Sequence, residues 1–152
     1  MFRKADGKRV SLSEALDAWT DFERALGPAR ELAHLAGSVR RAAREVGDVD
    51  FVFTGAPTEL RLLGFEGGQS KLSCLRNGIL FDALVCQPEQ REAALLHMTG
   101  SMQLNVGIRA KAARMGMKLN ERGLWRGDAL VASTEHAIFE ALRLPFLEPE
   151  MR

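Results

Sequence analysis

The sequence predicts a mixed α+β fold, and three stretches of the chain lead to this prediction. Apolar residues recur at three- and four-residue intervals over 11–27, from Leu12 to Leu26, which is the pattern of an amphipathic helix. Residues 69–76 and 79–86 flank an Asn-Gly pair, the strongest short signal for a β-hairpin. Residues 48–54 run into an apolar segment that favours an extended chain.

The remaining elements follow from caps and breakers. Ser11 or Ser13 can cap the first helix, and Gly27-Pro28 ends it. Residues 31–36 fit a short strand better than a helix end, whereas 58–65 fit either a helix or a strand. The later elements are predicted as helices over 88–98, 101–115 and 134–142, with a short hairpin over 117–131.

Composition restricts the class of protein. The chain has 152 residues, of which 46% are hydrophobic and 27% charged, so it is long enough for one domain with a real core. No apolar run approaches the ~20 residues of a spanning helix, and the first twenty residues lack a signal-peptide core. We therefore expect a cytoplasmic protein without a membrane or targeting segment, with Cys74 and Cys86 reduced. The net charge is +1, but residues 105–127 are locally basic, which suits contact with a few phosphates.

The most informative segment spans residues 37–50. Gly37-Ser38 can form a turn whose N–H groups and hydroxyl hold phosphate oxygens, and Arg40-Arg41 adds guanidinium donors. Asp48 and Asp50 stand two residues apart at the start of a predicted strand, so their carboxylates share one face and can reach one or two hard cations. Each feature alone is common in solvated loops; their order and spacing favour metal-assisted nucleotidyl transfer.

A third carboxylate is predicted at Asp82. It is the one acid in the apolar strand Ile79–Val85, where a charge is costly unless it is paired or bound to a metal. The alternative is an acid facing solvent from an open sheet. A two-metal site needs a third carboxylate from a neighbouring strand, which favours Asp82.

These motifs together resemble the family X DNA polymerases, the group of polymerase β. The resemblance rests on Gly-Ser-x-Arg-Arg at 37–41, Gly-Asp-x-Asp at 47–50, Asp82, and Thr-Gly-Ser at 99–101 with Asn105. Similar residues continue through 119–124 and 138–152. The resemblance implies a nucleotidyltransferase palm, a mixed sheet with flanking helices over residues 1–98, followed by a small α+β thumb lobe over 99–152.

The resemblance also implies a role for individual residues. Asp48 and Asp50 would bind two Mg²⁺ ions, for which Mn²⁺ can substitute, and Asp82 would bind the catalytic ion beside the primer 3′-hydroxyl. The residues implied to hold the incoming nucleotide are Gly37, Ser38, Arg41, Gly47, Thr99, Gly100 and Asn105. Lys71 would lie along the primer-template, and Arg109 would reach the template strand.

The chain departs from the family in several places. Only one predicted helix precedes the palm, so we expect no 5′-deoxyribose phosphate lyase activity. His97 and Met98 stand where the polymerase β group has an aromatic pair that screens the sugar, and the chain has no tyrosine. Ala42 and Leu80 also replace residues common in the family.

The implied function is a DNA-directed DNA polymerase that fills short gaps during repair. The alternative is a transferase that works without a template or takes ribonucleotides. A third reading, a non-catalytic nucleic-acid-binding module, is disfavoured by the intact acids and phosphate turn. We expect gapped or primer-template DNA and deoxynucleoside triphosphates as partners, a DNA ligase as a plausible one, no membrane, and a monomer.

Overall fold

A computed structural model describes residues 7–152 of the chain. The first-lobe elements are β1 Val10–Ser11, α1 Leu12–Leu26, β2 Ala33–Leu35, α2 Gly37–Arg40, β3 Glu45–Val46, β4 Asp48–Phe53, α3 Pro57–Arg61, β5 Glu66–Gly67, β6 Lys71–Arg76 and β7 Ile79–Val85. The remaining elements are α4 Arg91–Thr99, α5 Met102–Arg114, β8 Lys118–Asn120, β9 Gly123–Arg126, β10 Ala129–Ala132 and α6 Glu135–Ala141. Short 3₁₀ turns cover Gly27–Leu32, Pro88–Gln90 and Pro149–Met151.

The central sheet has five strands in the order β2-β4-β7-β6-β5. The neighbours β4 and β7 run parallel, and the other pairs are antiparallel. The predicted α+β class is confirmed, and so is the hairpin of β6 and β7 about Asn77-Gly78, where both residues have positive φ. The segment 58–65, which the sequence left open, begins in the short helix α3.

One face of this sheet is covered by α1. Ser11 caps the helix: its hydroxyl accepts from the Glu14 N–H, and the Glu14 carboxylate accepts from the Ser11 N–H. The helix buries Trp19 and Phe22 against an aromatic core that includes Phe51 and Phe81, with ring centroids 5.1–5.5 Å apart. Buried aromatic area of this kind fixes which face of β4 and β7 points inward.

A second core lies in the lobe formed by α5, α6 and the strands β8–β10. Ile108, Leu124, Ile138 and Phe139 are fully or almost fully buried there. The predicted hairpin over 117–131 is wrong in one respect: β8, β9 and β10 form a three-stranded antiparallel sheet. Gly127 takes a positive φ between β9 and β10, which allows the second tight turn that the two-stranded prediction missed.

Helix α4 joins the two cores. Its Ala94 packs on Val52 and Leu84 of the central sheet, whereas its Ala93 and Leu96 belong to the core of the second lobe. A helix buried on both sides holds the two lobes in one relative position.

A buried ionic cluster also connects the two lobes. Arg40 of α2 donates to the Thr99 hydroxyl at 2.8 Å and to Glu135 of α6 at 2.6 Å, and Arg152 donates to the same carboxylate at 2.5 Å. Glu135 is only 4% exposed, so two guanidinium groups compensate its buried charge. The sequence predicted Arg40 as a phosphate ligand, but in the structure its side chain binds Thr99 and Glu135 instead.

Within residues 7–152, no helix is long and apolar enough to cross a bilayer.

Candidate active site

Three carboxylates meet on the sheet face that α1 does not cover. Along β4, Val49, Phe51 and Phe53 enter the aromatic core, so the alternate residues Asp48 and Asp50 project to the opposite face. In the parallel pairing of β4 with β7, Asp50 lies directly beside Asp82. The sequence placed these acids on two strands; the register brings them side by side.

The carboxylates form a compact cluster. One oxygen atom from each of Asp48, Asp50 and Asp82 lies within 4.8 Å of the others, and all three side chains are partly exposed. Helix α4 covers the same face only further along, at Val52 and Leu84. The acids are thus placed where the sheet face is open to ligands.

Gly37 stands against this cluster. It has a positive φ of 62°, and a β-carbon at this position would lie 2.9 Å from Cβ and Cγ of Asp50. Only glycine fits both requirements. The predicted turn at Gly37-Ser38 is in fact the start of helix α2. The missing side chain of Gly37 leaves room for the Asp50 carboxylate.

A cleft of about 480 Å³ opens beside the acids. One wall carries Gly37, Ser38 and Arg41 next to Asp48 and Asp50. The opposite wall comes from α4, α5 and the turn between them: His97, Met98, Gly100, Met102, Asn105, Val106 and Arg109. A cleft between acids and arginine on one side and a mixed polar and apolar wall on the other suits a nucleoside phosphate.

Arg41 fixes the geometry of this wall. Its guanidinium donates to the carbonyl of Thr99. Thr99 itself is completely buried, and its hydroxyl accepts from Arg40. The structure therefore places Thr99, which was predicted to hold nucleotide, behind the cleft rather than in its lining, while the predicted residues Gly100 and Asn105 do line it. The Gly100–Ser101 peptide is cis.

A second cavity of about 320 Å³ continues past Asp50 and Asp82. Its walls include Lys71 and Ser73 of β6, with His97 and Met98 of α4. Ser73 lies in register with Asp82 across the antiparallel pair, and its buried hydroxyl has no hydrogen-bond partner within residues 7–152. The predicted DNA contact Lys71 is exposed at the edge of this cavity.

Gly47 belongs to a third cavity, of about 580 Å³, on the far side of Ser38 and Arg41. Arg9 also lines it, and sequence reasoning missed this residue. The pairing of β1 with β3 brings Arg9 there, with a guanidinium nitrogen 3.4 Å from where a β-carbon on Gly47 would lie. Arg9 precedes this two-residue ladder, which is too short to recognise from sequence, and its guanidinium lies 3.8 Å from the carboxylate of Glu45 in the same cavity.

Arg109 and Asn105 both contact His97. Arg109 Nη2 lies 2.6 Å from His97 Nδ1, and the Asn105 amide donates to the His97 carbonyl at 2.9 Å. Burial, followed by the charge of Arg109, lowers the pKa of His97 from its usual value. The imidazole is therefore neutral at pH 7.

The sequence of this chain is similar to those of known DNA polymerases. Residues 94–152 match the sequence model of the DNA polymerase beta thumb. DNA polymerase IV of Saccharomyces cerevisiae is 42% identical over 72 residues, which cover 47% of this chain and 12% of that protein. The DNA polymerase/3′-5′ exonuclease PolX of Bacillus subtilis is 29% identical over 133 residues, which cover 77% of this chain and 23% of that protein. The chain thus spans less than a quarter of the length of either relative.

Proposed function

On the premise of its resemblance to the family X DNA polymerases, which the thumb match and both relatives support, we propose that this chain extends a DNA primer 3′-hydroxyl with nucleotides. The observation that carries the proposal is the cluster of Asp48, Asp50 and Asp82 beside a cleft lined by Ser38 and Arg41. Cation ligands and phosphate donors lie side by side there, as phosphoryl transfer requires.

The donor set fits hard divalent cations. Three carboxylates with oxygen atoms within 4.8 Å of one another offer the all-oxygen ligands that Mg²⁺ and Mn²⁺ prefer. We propose that Asp48 and Asp50 hold two such ions and that Asp82 shares one of them. When bound, these ions would activate the 3′-hydroxyl and neutralise charge on the phosphates.

The chain's own donors would bind the triphosphate. Ser38 and Arg41 line both the main cleft and the third cavity, so they can contact successive phosphates between the two. Arg9, the residue before β1, adds a third donor. Gly47 has no side chain to hinder close approach to its backbone, whereas the room at Gly37 is taken by the Asp50 carboxylate. A guanidinium fork matches phosphate geometry.

The opposite wall would bind the base and the DNA. We assign residues 1–98, of which 1–6 lie outside the described part of the chain, to the palm and 99–152 to the thumb. Asn105 and Arg109 present polar groups to the main cleft, where they would contact the nucleotide base and the template. Lys71 borders the second cavity, on the side of Asp82 where the primer would lie. We propose short-gap filling in repair as the role of such an enzyme, with a ligase acting next.

A specific observation supports the alternative of ribonucleotide use or untemplated addition. His97 and Met98 line the cleft at the position where the polymerase β group has two aromatic residues. A His–Met pair presents a different surface to the sugar, so sugar selection would differ from that group.

The decisive experiment measures extension of a labelled primer on DNA with a one-nucleotide gap, with each nucleotide offered singly and Mg²⁺ or Mn²⁺ present. We expect incorporation to follow the template base. Asp50→Asn should lower the rate by more than about 100-fold, since altering even a group behind a metal ligand costs about 10- to 100-fold. The matched control Asp128→Asn changes an exposed acid in the β9–β10 turn and should leave the rate unchanged.

The outcomes separate the candidate functions. Incorporation that ignores the template base would support a template-independent transferase, and equal use of ribonucleotides would support relaxed sugar selection. DNA binding without incorporation under any metal would indicate a binding module and overturn the proposal.

A further inference from the structure

Two side chains of α5 converge on His97. Arg109 contacts the His97 ring and Asn105 contacts the His97 carbonyl, at 2.6 and 2.9 Å. These are the two residues assigned above to the base pair. His97 itself belongs to α4, the helix that packs on both cores. His97 therefore contacts both residues of this wall, Arg109 through its ring and Asn105 through its backbone carbonyl.

The contact with Arg109 requires one protonation state of the imidazole. A guanidinium group has hydrogen-bond donors and no acceptor, so Nδ1 of His97 must present its lone pair. The ring is then neutral and carries its proton on Nε2. A protonated imidazole would lose the acceptor and place a positive charge against Arg109.

The charged groups that face the imidazole favour this neutral state. Burial and then the charge of Arg109 lower the pKa of His97 most; Glu121 acts in the opposite direction with less effect than Arg109, and Lys71 lowers the pKa least. Lys71 comes from β6 and Glu121 from the turn after β8, so the ring is surrounded by three separate elements.

Arg109 is otherwise an exposed side chain. A long exposed arginine samples many rotamers, and ordering it on binding costs free energy. The His97 contact selects one position at the edge of the main cleft before any ligand arrives. A template strand would then meet a guanidinium group that is already oriented.

We propose that His97 is a positioning residue for Arg109: its neutral Nδ1 holds the guanidinium at the cleft, and template-directed selection of the nucleotide depends on that contact. This inference rests on the proposed polymerase function. It assigns to His97 a role that acts through Arg109 rather than through contact with the reacting atoms.

The test compares His97→Asn, which keeps an acceptor near the Nδ1 position but does not titrate, with His97→Leu, which removes the acceptor. The control His136→Asn alters a histidine stacked on Phe146 in the second lobe, at a centroid distance of 3.6 Å. The readouts are kcat/KM for the correct and an incorrect nucleotide on gapped DNA between pH 5.5 and 8.5. Thermal unfolding of each variant verifies that it is folded.

At pH 7.5 we expect His97→Leu to lower the preference for the correct nucleotide about tenfold, the lower end for one hydrogen bond to a charged group. His97→Asn should retain most of that preference. Because burial and Arg109 lower the pKa of His97, the wild-type preference should fall only at pH values below the ordinary histidine range, where His97 gains a proton, and this fall should be absent in His97→Asn. Acid effects on other groups occur in both proteins and cancel in the comparison.

Three results would overturn the inference: an unchanged preference in His97→Leu, equal losses in His97→Leu and His97→Asn, or the same pH profile in the wild type and His97→Asn. Each would leave the polymerase assignment standing, since the wild type still incorporates. A wild type that incorporates no nucleotide at any pH would instead overturn the proposed function, and this inference with it.

Discussion

Glu135 offers the sharpest test of how the two lobes are held together. Its carboxylate accepts from Arg40 at 2.6 Å and from Arg152 at 2.5 Å, while the Arg152 side chain is fully buried and that of Arg40 is 24% exposed. In Glu135→Gln the amide oxygen can accept from one guanidinium, but the amide NH₂ faces the other, and two positive charges remain without a counter-charge. Removing one partner of a buried ion pair costs about 3–5 kcal/mol of stability.

Because Arg40 is partly exposed, the lower end of that range applies, about 3 kcal/mol. For a chain of this length each kcal/mol shifts the midpoint by about 2–4 °C, so Tm should fall by about 10 °C. Differential scanning calorimetry measures the change. The control Glu140→Gln alters an exposed acid of the same helix and should shift Tm by less than about 2 °C. A Glu135→Gln midpoint equal to that of the control would refute the view that this cluster stabilises the lobe interface.

Two further outcomes follow from single side chains. Ser73→Ala should leave the free energy of unfolding unchanged or raise it by up to about 1 kcal/mol in a urea titration, because the buried hydroxyl has no partner within residues 7–152. A clear loss of stability would show that the hydroxyl is in fact hydrogen-bonded. The control is Ser70→Ala, which alters an exposed serine. Burial raises the pKa of Cys86 to about 11, so its alkylation by iodoacetamide, followed by mass spectrometry of the peptide, should be slow at pH 7.5 and rise about tenfold per pH unit up to pH 10. A rate that levels off near pH 8.5 would contradict this.

The local signals in the sequence corresponded well to local structure. The capping box of Ser11 and Glu14, the apolar stripe of α1 and the Asn77-Gly78 turn depend on residues close in sequence, so periodicity and turn chemistry were enough to predict them. The third strand β10 was not predicted: Gly127, at positive φ, makes a second turn after β9, and the strand is defined by its pairing with β9.

In the candidate site, too, the sequence predicted some features, and the fold decided the others. The spacing of Asp48 and Asp50 on one strand determined that their carboxylates share a face, and the lone acid of β7 identified Asp82. The sequence could not assign Arg40 and Arg41 to different tasks. That separation arises because Arg40 faces the buried Glu135 whereas Arg41 lines the cleft.

The sequence by itself determined that Asp48 and Asp50 lie on one face of a strand, which residues cap the first helix, and that the phosphate turn precedes the acids. Each of these features depends on the chemistry of residues a few positions apart. Only the tertiary structure decided that Asp50 lies beside Asp82, that Arg9 reaches Gly47, and that Arg109 is held by His97. These contacts join residues distant in the chain, and which of them form is decided by strand register and by the burial of two separate cores.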